Sequence, residues 1–433
     1  MPRLLPLLGL FTAFATSGLA QAPPSPALTL TLPDALERAR ANAQQLLEAD
    51  IAARLAREDR VQAKAALLPS VNWINGFDYT QPNGTDTGVF VANNGARVYT
   101  NLANVHADVY APGKRADYQI AIAAEAIARA RLEIAGRGLN AVVVQNFYGM
   151  AVAQRHVANA QRSVQEAQQF VDITQKQEAG GEAAHSDVVK AQLTLDQRQR
   201  DAQDAQLAYD KARIGFAVFL FPDFRQDFAV TDDLDQVRPL GTLPEITALA
   251  QNNNPDIRAA QAGITQETFG IRSARSGLLP TVSVDYFFGL QANQYALHNE
   301  FGQNNIGNSV VASLNFPIWN WGAARSKIRQ AELKLQQART ELSVTQRQLL
   351  ANLDSFYLEA SVAANQVASL KHSLDLSDES LRLTILRFEA GEVTVLEVVD
   401  AQSTLFAARN AYDDGLARYR LALASLQTLT GAF

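Results

Sequence analysis

The sequence predicts a mainly α-helical chain with a membrane β-barrel part, built from two internal structural repeats. Three observations carry that expectation. First, the halves repeat each other: Thr31-Leu32-Pro33 returns as Thr242-Leu243-Pro244 (244 − 33 = 211), Leu67-Leu68-Pro69 as Leu278-Leu279-Pro280 (280 − 69 = 211) and Phe147-Tyr148 as Phe356-Tyr357 (356 − 147 = 209). Second, no Pro occurs from Gly113 to Phe221 or from Ile318 to Phe433, and both blocks are rich in the helix formers Ala, Gln, Glu, Arg and Leu. Third, the stretch before each block alternates apolar and polar residues with the period of a strand. The repeat is far longer than a solenoid unit, so a whole run of elements is used twice.

Met1–Ala20 has Arg3, an apolar run from Leu4 to Phe14 and Ser17-Gly18-Leu19-Ala20 before Gln21, which reads as a signal peptide cleaved after Ala20. The chain has no Cys, which removes disulfides and any lipid anchor on Cys. The first repeat is expected over residues 21–221, with one helix, a strand pair at 70–112 and a long helical hairpin at 113–221. Val71, Trp73, Phe77 and Tyr79 alternate with Asn72, Gly76 and Asp78, and after a polar loop from Gln81 to Ala96 a second strand carries Tyr99, Val105 and Val109 against His106 and Asp108. A linker follows at 222–243, and the second repeat, 244–433, has a helix, a strand pair at 281–318 and a hairpin at 322–430.

Strands of about 10 residues with one apolar parity suit an outer-membrane barrel, although a hairpin packed on a soluble core has the same pattern. Tyr110, Trp319, Trp321 and Trp73 are the aromatics expected at the membrane interface. Within each long block one Gly turn, at Gly180-Gly181 and at Gly391, divides a helix of about 65 residues from a shorter one, and at 1.5 Å per residue the longer reaches roughly 100 Å. Four strands cannot close a barrel, and an open edge cannot sit in lipid, so the chain must borrow strands from other copies.

Several functions are excluded. There are 38 basic and 44 acidic residues with no basic patch, which gives nucleic-acid binding no support. His106, His156, His185, His298 and His372 show no metal-ligand spacing, and Gly136-Arg137-Gly138 is not followed by a phosphate-loop pattern. No nucleophile motif is present, so neither an enzyme nor a cofactor is expected.

The order of helix, strand pair, long helix, Gly turn and helix, used twice, resembles the TolC family of outer-membrane efflux ducts. The resemblance rests on the Leu-Leu-Pro entries and on paired tips, Glu178-Ala179-Gly180-Gly181 with Asp187-Val188-Val189-Lys190-Ala191-Gln192 and Phe388-Glu389-Ala390-Gly391 with Glu397-Val398-Val399-Asp400-Ala401-Gln402. It implies a homotrimer with a twelve-stranded β-barrel in the outer-membrane lipid and an α-helical barrel reaching through the periplasm. It also implies a periplasmic adaptor at the tip turns Gly180, Gly181 and Gly391, and an inner-membrane transporter that supplies the energy, for efflux or type I secretion. The competing reading is a periplasmic coiled-coil scaffold without a pore, which would not need apolar outward strand faces.

Glu397 and Asp400 are spaced i, i+3 on one helix face, with Asp187 and Lys190 as their equivalents (397 − 187 = 210; 400 − 190 = 210). Such a pair is either a solvated face or, as the resemblance implies, part of an acidic periplasmic gate formed by Asp187, Glu397 and Asp400. Val393 stands where family members often carry a basic residue that ties neighbouring helices shut.

Overall fold

A computed structural model describes residues 28–79, 97–236 and 239–431; the signal segment and the loop from Gln81 to Ala96 lie outside them. In chain order the first half is β1 (Leu28–Leu30), α1 (Leu32–Asn42), α2 (Gln44–Ala65), β2 (Ser70–Tyr79), β3 (Arg97–Tyr110), α3 (Pro112–Gly180) and α4 (His185–Leu220). The second half is β4 (Phe228–Val230), α5 (Leu243–Asn253), α6 (Pro255–Ser276), β5 (Thr281–Ala292), β6 (Ile306–Asn315), α7 (Ala323–Glu389) and α8 (Val395–Thr430).

The repeated Thr-Leu-Pro motif is a helix start. Thr31 Oγ1 accepts from Asp34 N at 3.4 Å while Asp34 Oδ2 accepts from Thr31 N at 3.1 Å, and Glu245 Oε2 accepts from Thr242 N at 3.4 Å. Pro sits within the first two helical positions in both copies, where its missing N–H has no partner to lose. The single helix expected next is two helices in each copy. Asn254 breaks the second copy, because its Oδ1 accepts from Ile257 N at 3.0 Å and Pro255 opens a new helix. Extended Ala43 (φ −73°, ψ 110°) breaks the first copy without a side-chain cap.

The long helices α3 and α7 run 69 and 67 residues, and α4 and α8 return 36 residues each. Gly181 (φ +80°) and Gly391 (φ +75°) take the left-handed conformation that turns each hairpin. Near the sheet the helices lie side by side in the order α2, α3, α6, α7; toward the tips the order is α4, α3, α8, α7. One lateral margin is therefore formed by α2 and α4, and the other by α7.

The strands form an antiparallel sheet in the order β2-β3-β5-β6. Its register keeps parity across all four strands up to a bulge between Asp108 and Tyr110: Val71 pairs with Val105, Val105 with Tyr286 and Tyr286 with Val310. On the opposite face Ser70 pairs with His106, His106 with Asp285 and Asp285 with Val311. β6 stops at Asn315, before the expected Ile318, because Pro317 has no N–H for a ladder. The connection between β5 and β6 is 293–305.

β1 and β4 pair in parallel, Leu28 with Phe228 through Leu30 with Val230, and tie the N-terminal segment to the linker between the repeats. Beneath this ladder is the main core, in which Phe147 meets Tyr148 and Phe216 edge-on at 5.4 and 6.5 Å, with Leu30, Leu220, Leu234 and Leu416 buried around them.

Candidate gate, belt and membrane face

The two tips pack against each other through an apolar cluster. Phe170 of α3 and Phe388 of α7 place their rings 5.1 Å apart, and Val395, Val398 and Leu405 of α8 are buried beside them. Gln177 Nε2 donates to Phe388 O at 3.3 Å, and Gln402 Nε2 donates to Glu166 O at 3.3 Å, so polar ties reinforce the contact. Arg409 lies 2.9 Å from Glu166 and 3.5 Å from Asp378, which links α8 to both long helices. Val393 belongs to this cluster, partly buried, so the position makes an apolar contact.

The three gate candidates do not have equivalent surroundings. Glu397 is the third residue of α8, and its Oε1 accepts from Thr394 N at 3.3 Å and from Thr394 Oγ1 at 3.4 Å. Asp187 is the third residue of α4, and its Oδ2 accepts from Ala184 N at 3.3 Å. Ala184 has no side-chain oxygen to return the bond, so that cap is one-sided. Both carboxylates also favour the positive end of a helix dipole. Asp400, one turn further along α8, is exposed and makes no ion pair or hydrogen bond among the described residues. The i, i+3 spacing identified the shared face but missed the capping, which follows from position relative to the helix start. Gly180 ends α3, and Gly181 and Gly391 follow as turn residues with open space around them.

A fastening of the linker between the repeats, here called the belt, was missed by sequence reasoning. Arg155 of α3 donates from Nε to Asp232 at 2.5 Å, from one terminal nitrogen to Asp235 at 2.7 Å and from the other to Asp413 of α8 at 3.1 Å. Burial opposes the guanidinium charge, but the hydrogen bonds to Asp232, Asp235 and Asp413 outweigh it and raise its pKa. Asn159 Nδ2 also donates to Asp413, at 2.8 Å. The acidic run Asp232-Asp233 was the available signal, but a basic partner 77 residues away leaves no local trace.

The sheet separates two chemistries. One face presents Val71, Phe77, Tyr286, Val310 and Leu314, all exposed. The other carries Asn104, His106 and Asp285, with Asn104 Nδ2 donating to Asp285 Oδ1 at 3.2 Å and His106 Nδ1 2.8 Å from the same oxygen. Lys114 at the start of α3 pairs with Asp108, carrying this polar network across the sheet–helix junction. The aromatics expected at the membrane interface fall at two levels. Tyr110 ends β3 beside Val282, and Trp319 and Trp321 pair edge-on at 5.6 Å beyond β6. Trp73 pairs with Ala103, seven residues up β3 from Tyr110 (110 − 103 = 7), or about 24 Å along the strand at 3.4 Å per residue. Trp73 therefore stands at a level of the sheet well removed from Tyr110.

Comparison with known proteins agrees with this architecture. Alkaline protease secretion protein AprF of Pseudomonas aeruginosa is 21% identical over 387 residues, covering 87% of this chain and 79% of its own. Cobalt-zinc-cadmium resistance protein CzcC of Cupriavidus metallidurans is 25% identical over 72% of each chain. The solved structure of CusC, described in terms of transmembrane channel formation, superposes with a TM-score of 0.81 over 93% of this chain and 92% of that one, at 18% identity. Residues 35–218 and 247–432, most of both repeats, match the outer membrane efflux protein family, a family of transport ducts and not of enzymes, and the chain belongs to it.

Proposed function

We propose that this chain is the outer-membrane duct of a tripartite efflux or type I secretion system, passively conducting cargo from an inner-membrane transporter through a periplasmic adaptor to the exterior. The observation that carries the reading is the shared parity of the four strands, one face mainly apolar and one mainly polar, interrupted only by a bulge between Asp108 and Tyr110 at the helix-side end of β3, together with two unpaired edges, β2 and β6. In hydrocarbon those edges require partners. The lateral margins favour the same solution. α2 and α4 flank one side with exposed Leu47, Leu55, Leu193 and Leu207, and α7 flanks the other with exposed Leu333, Leu358 and Leu376. Margins that differ suit a head-to-tail ring, and three copies give twelve strands, an even number within the range of such barrels. The scaffold alternative leaves the apolar sheet face without a use.

Purified from the outer membrane in mild detergent, the protein should migrate as a trimer and conduct ions in planar bilayers; a monodisperse monomer, soluble without detergent, would refute the duct. In such a ring Asp400 is the gate carboxylate with no structural duty, whereas Asp187 and Glu397 also hold helix starts. Asp400→Ala should therefore raise single-channel conductance and lower cation preference several-fold. Glu397→Ala should carry in addition a loss of about 1 kcal/mol of helix capping, read by thermal denaturation. Wild-type selectivity in Asp400→Ala would assign that carboxylate to the solvated face.

A further inference from the structure

The helix-distal end of the sheet contains a cavity on the face opposite the duct's polar lining. The connection from β5 to β6 folds on itself: Asn299 Oδ1 accepts from Phe301 N at 3.0 Å and Gln303 N at 2.9 Å. Asn305 donates from its backbone to Leu297 O and from its side chain to Ala296 O, each at 2.8 Å. The folded loop then leans back over the apolar face. Asn101 Nδ2 donates to Tyr295 Oη at 3.3 Å, and the Tyr295 ring stands edge-on to Tyr99 at 6.0 Å. Leu290 and Ala292 are buried, whereas Trp73, Phe77 and Phe288 on the same face are exposed.

Between loop and sheet remains a cavity of about 290 Å³, with Trp73, Phe288, Leu290 and Ile306 on the sheet side and Tyr295 and Leu297 as a roof. The amide of Asn101 also reaches it but already serves Tyr295. Water would find too few polar partners here. An empty space would forfeit the dispersion contacts of the rings around it. The volume is at the small end of ligand pockets, and it opens on the surface that hydrocarbon covers.

We propose that this cavity is a lipid site, holding one acyl chain of an outer-leaflet lipid against Trp73 and Phe288 beneath the Tyr295–Leu297 roof. The proposal rests on the duct reading, which makes this face the lipid face and the helix-distal end the outer one. Selectivity for a bound chain over a passing one comes from packing, since apolar burial gains nothing relative to the bilayer itself. The retained chain completes the underside of the loop and holds it against the barrel rim.

The chain has three Trp residues, so Trp319→Phe with Trp321→Phe leaves Trp73 as the sole tryptophan reporter. The assembled double variant in detergent is titrated with a phospholipid brominated in its acyl chains. The expected result is saturable quenching of Trp73 by a single lipid per chain, reversed by excess unbrominated lipid. Ala296→Phe, which fills the cavity, and Leu297→Ser, which opens its roof, should each abolish the saturable component while leaving the oligomer intact. Quenching that rises linearly with lipid fraction and is equal in all three proteins would overturn the site. Bilayer conductance of the double variant reads the duct separately, so loss of the lipid site and loss of the duct are distinguishable.

Discussion

Arg155→Ala should loosen the belt at a cost of about 3 kcal/mol, because it leaves Asp413, almost wholly buried, facing Asp232 and Asp235 without a cation. Removing one partner of a desolvated pair costs more than the pair contributes, since the remaining charge keeps its desolvation penalty. Chemical denaturation of the assembled protein should show the loss, and limited proteolysis should become faster within 222–236, the stretch that Arg155 pins to α3 and α8. Adding Asp413→Asn removes the orphaned charge and should recover part of the stability, with Asn159 still able to bond the new amide oxygen. Stability within about 0.5 kcal/mol of wild type for the single variant would show that the three ion pairs behave as surface pairs.

Gly289→Ala should prevent assembly altogether. Gly289 has φ +148°, and a Cβ there would fall 2.2 Å from Asn101 O and 3.0 Å from Leu102 Cα, both backbone atoms of the adjacent strand. β3 and β5 would have to separate at the centre of the sheet, and hydrocarbon offers no water to replace the broken ladder bonds, at several kcal/mol for each unsatisfied group. The control is Gly307, paired with Gly289 in register but with open space around its own Cβ position. Gly307→Ala should assemble normally, and the comparison is read as the yield of detergent-stable oligomer from outer membranes. An oligomer yield from Gly289→Ala equal to that of Gly307→Ala would show that the sheet accommodates the added carbon.

What could be read from the sequence was whatever is written at short range. The Pro-free blocks predicted the helices that became α3 and α7, the Gly turns marked the tips, and strict alternation separated the two faces of the sheet. Each of these signals reflects local backbone or solvent preference. The break at Ala43 has no Pro, Gly or side-chain cap to announce it, and β1 and β4 are too short for periodicity. Arg155, Phe170 and Gln402 act across separations of 77 to 258 residues, which no local pattern encodes. Trp73 shows the same limit within a strand: its level relative to Tyr110 follows only from its register with Ala103.

The β1–β4 ladder has a consequence for the order in which the chain folds. It joins Leu28 to Phe228 across 200 residues (228 − 28 = 200), and Asn42 Nδ2 reaches Leu220 O across a similar span. Closing so long a loop costs entropy before the three paired residues return anything. The hairpin of α3 and α4 lies wholly inside that loop, and its contacts around the turn at Gly181 are short-range. The hairpin should therefore zip from its tip and bring the two short strands together as its far end forms. On this view the ladder is a late clasp, its closure waiting on completion of the rod it encircles.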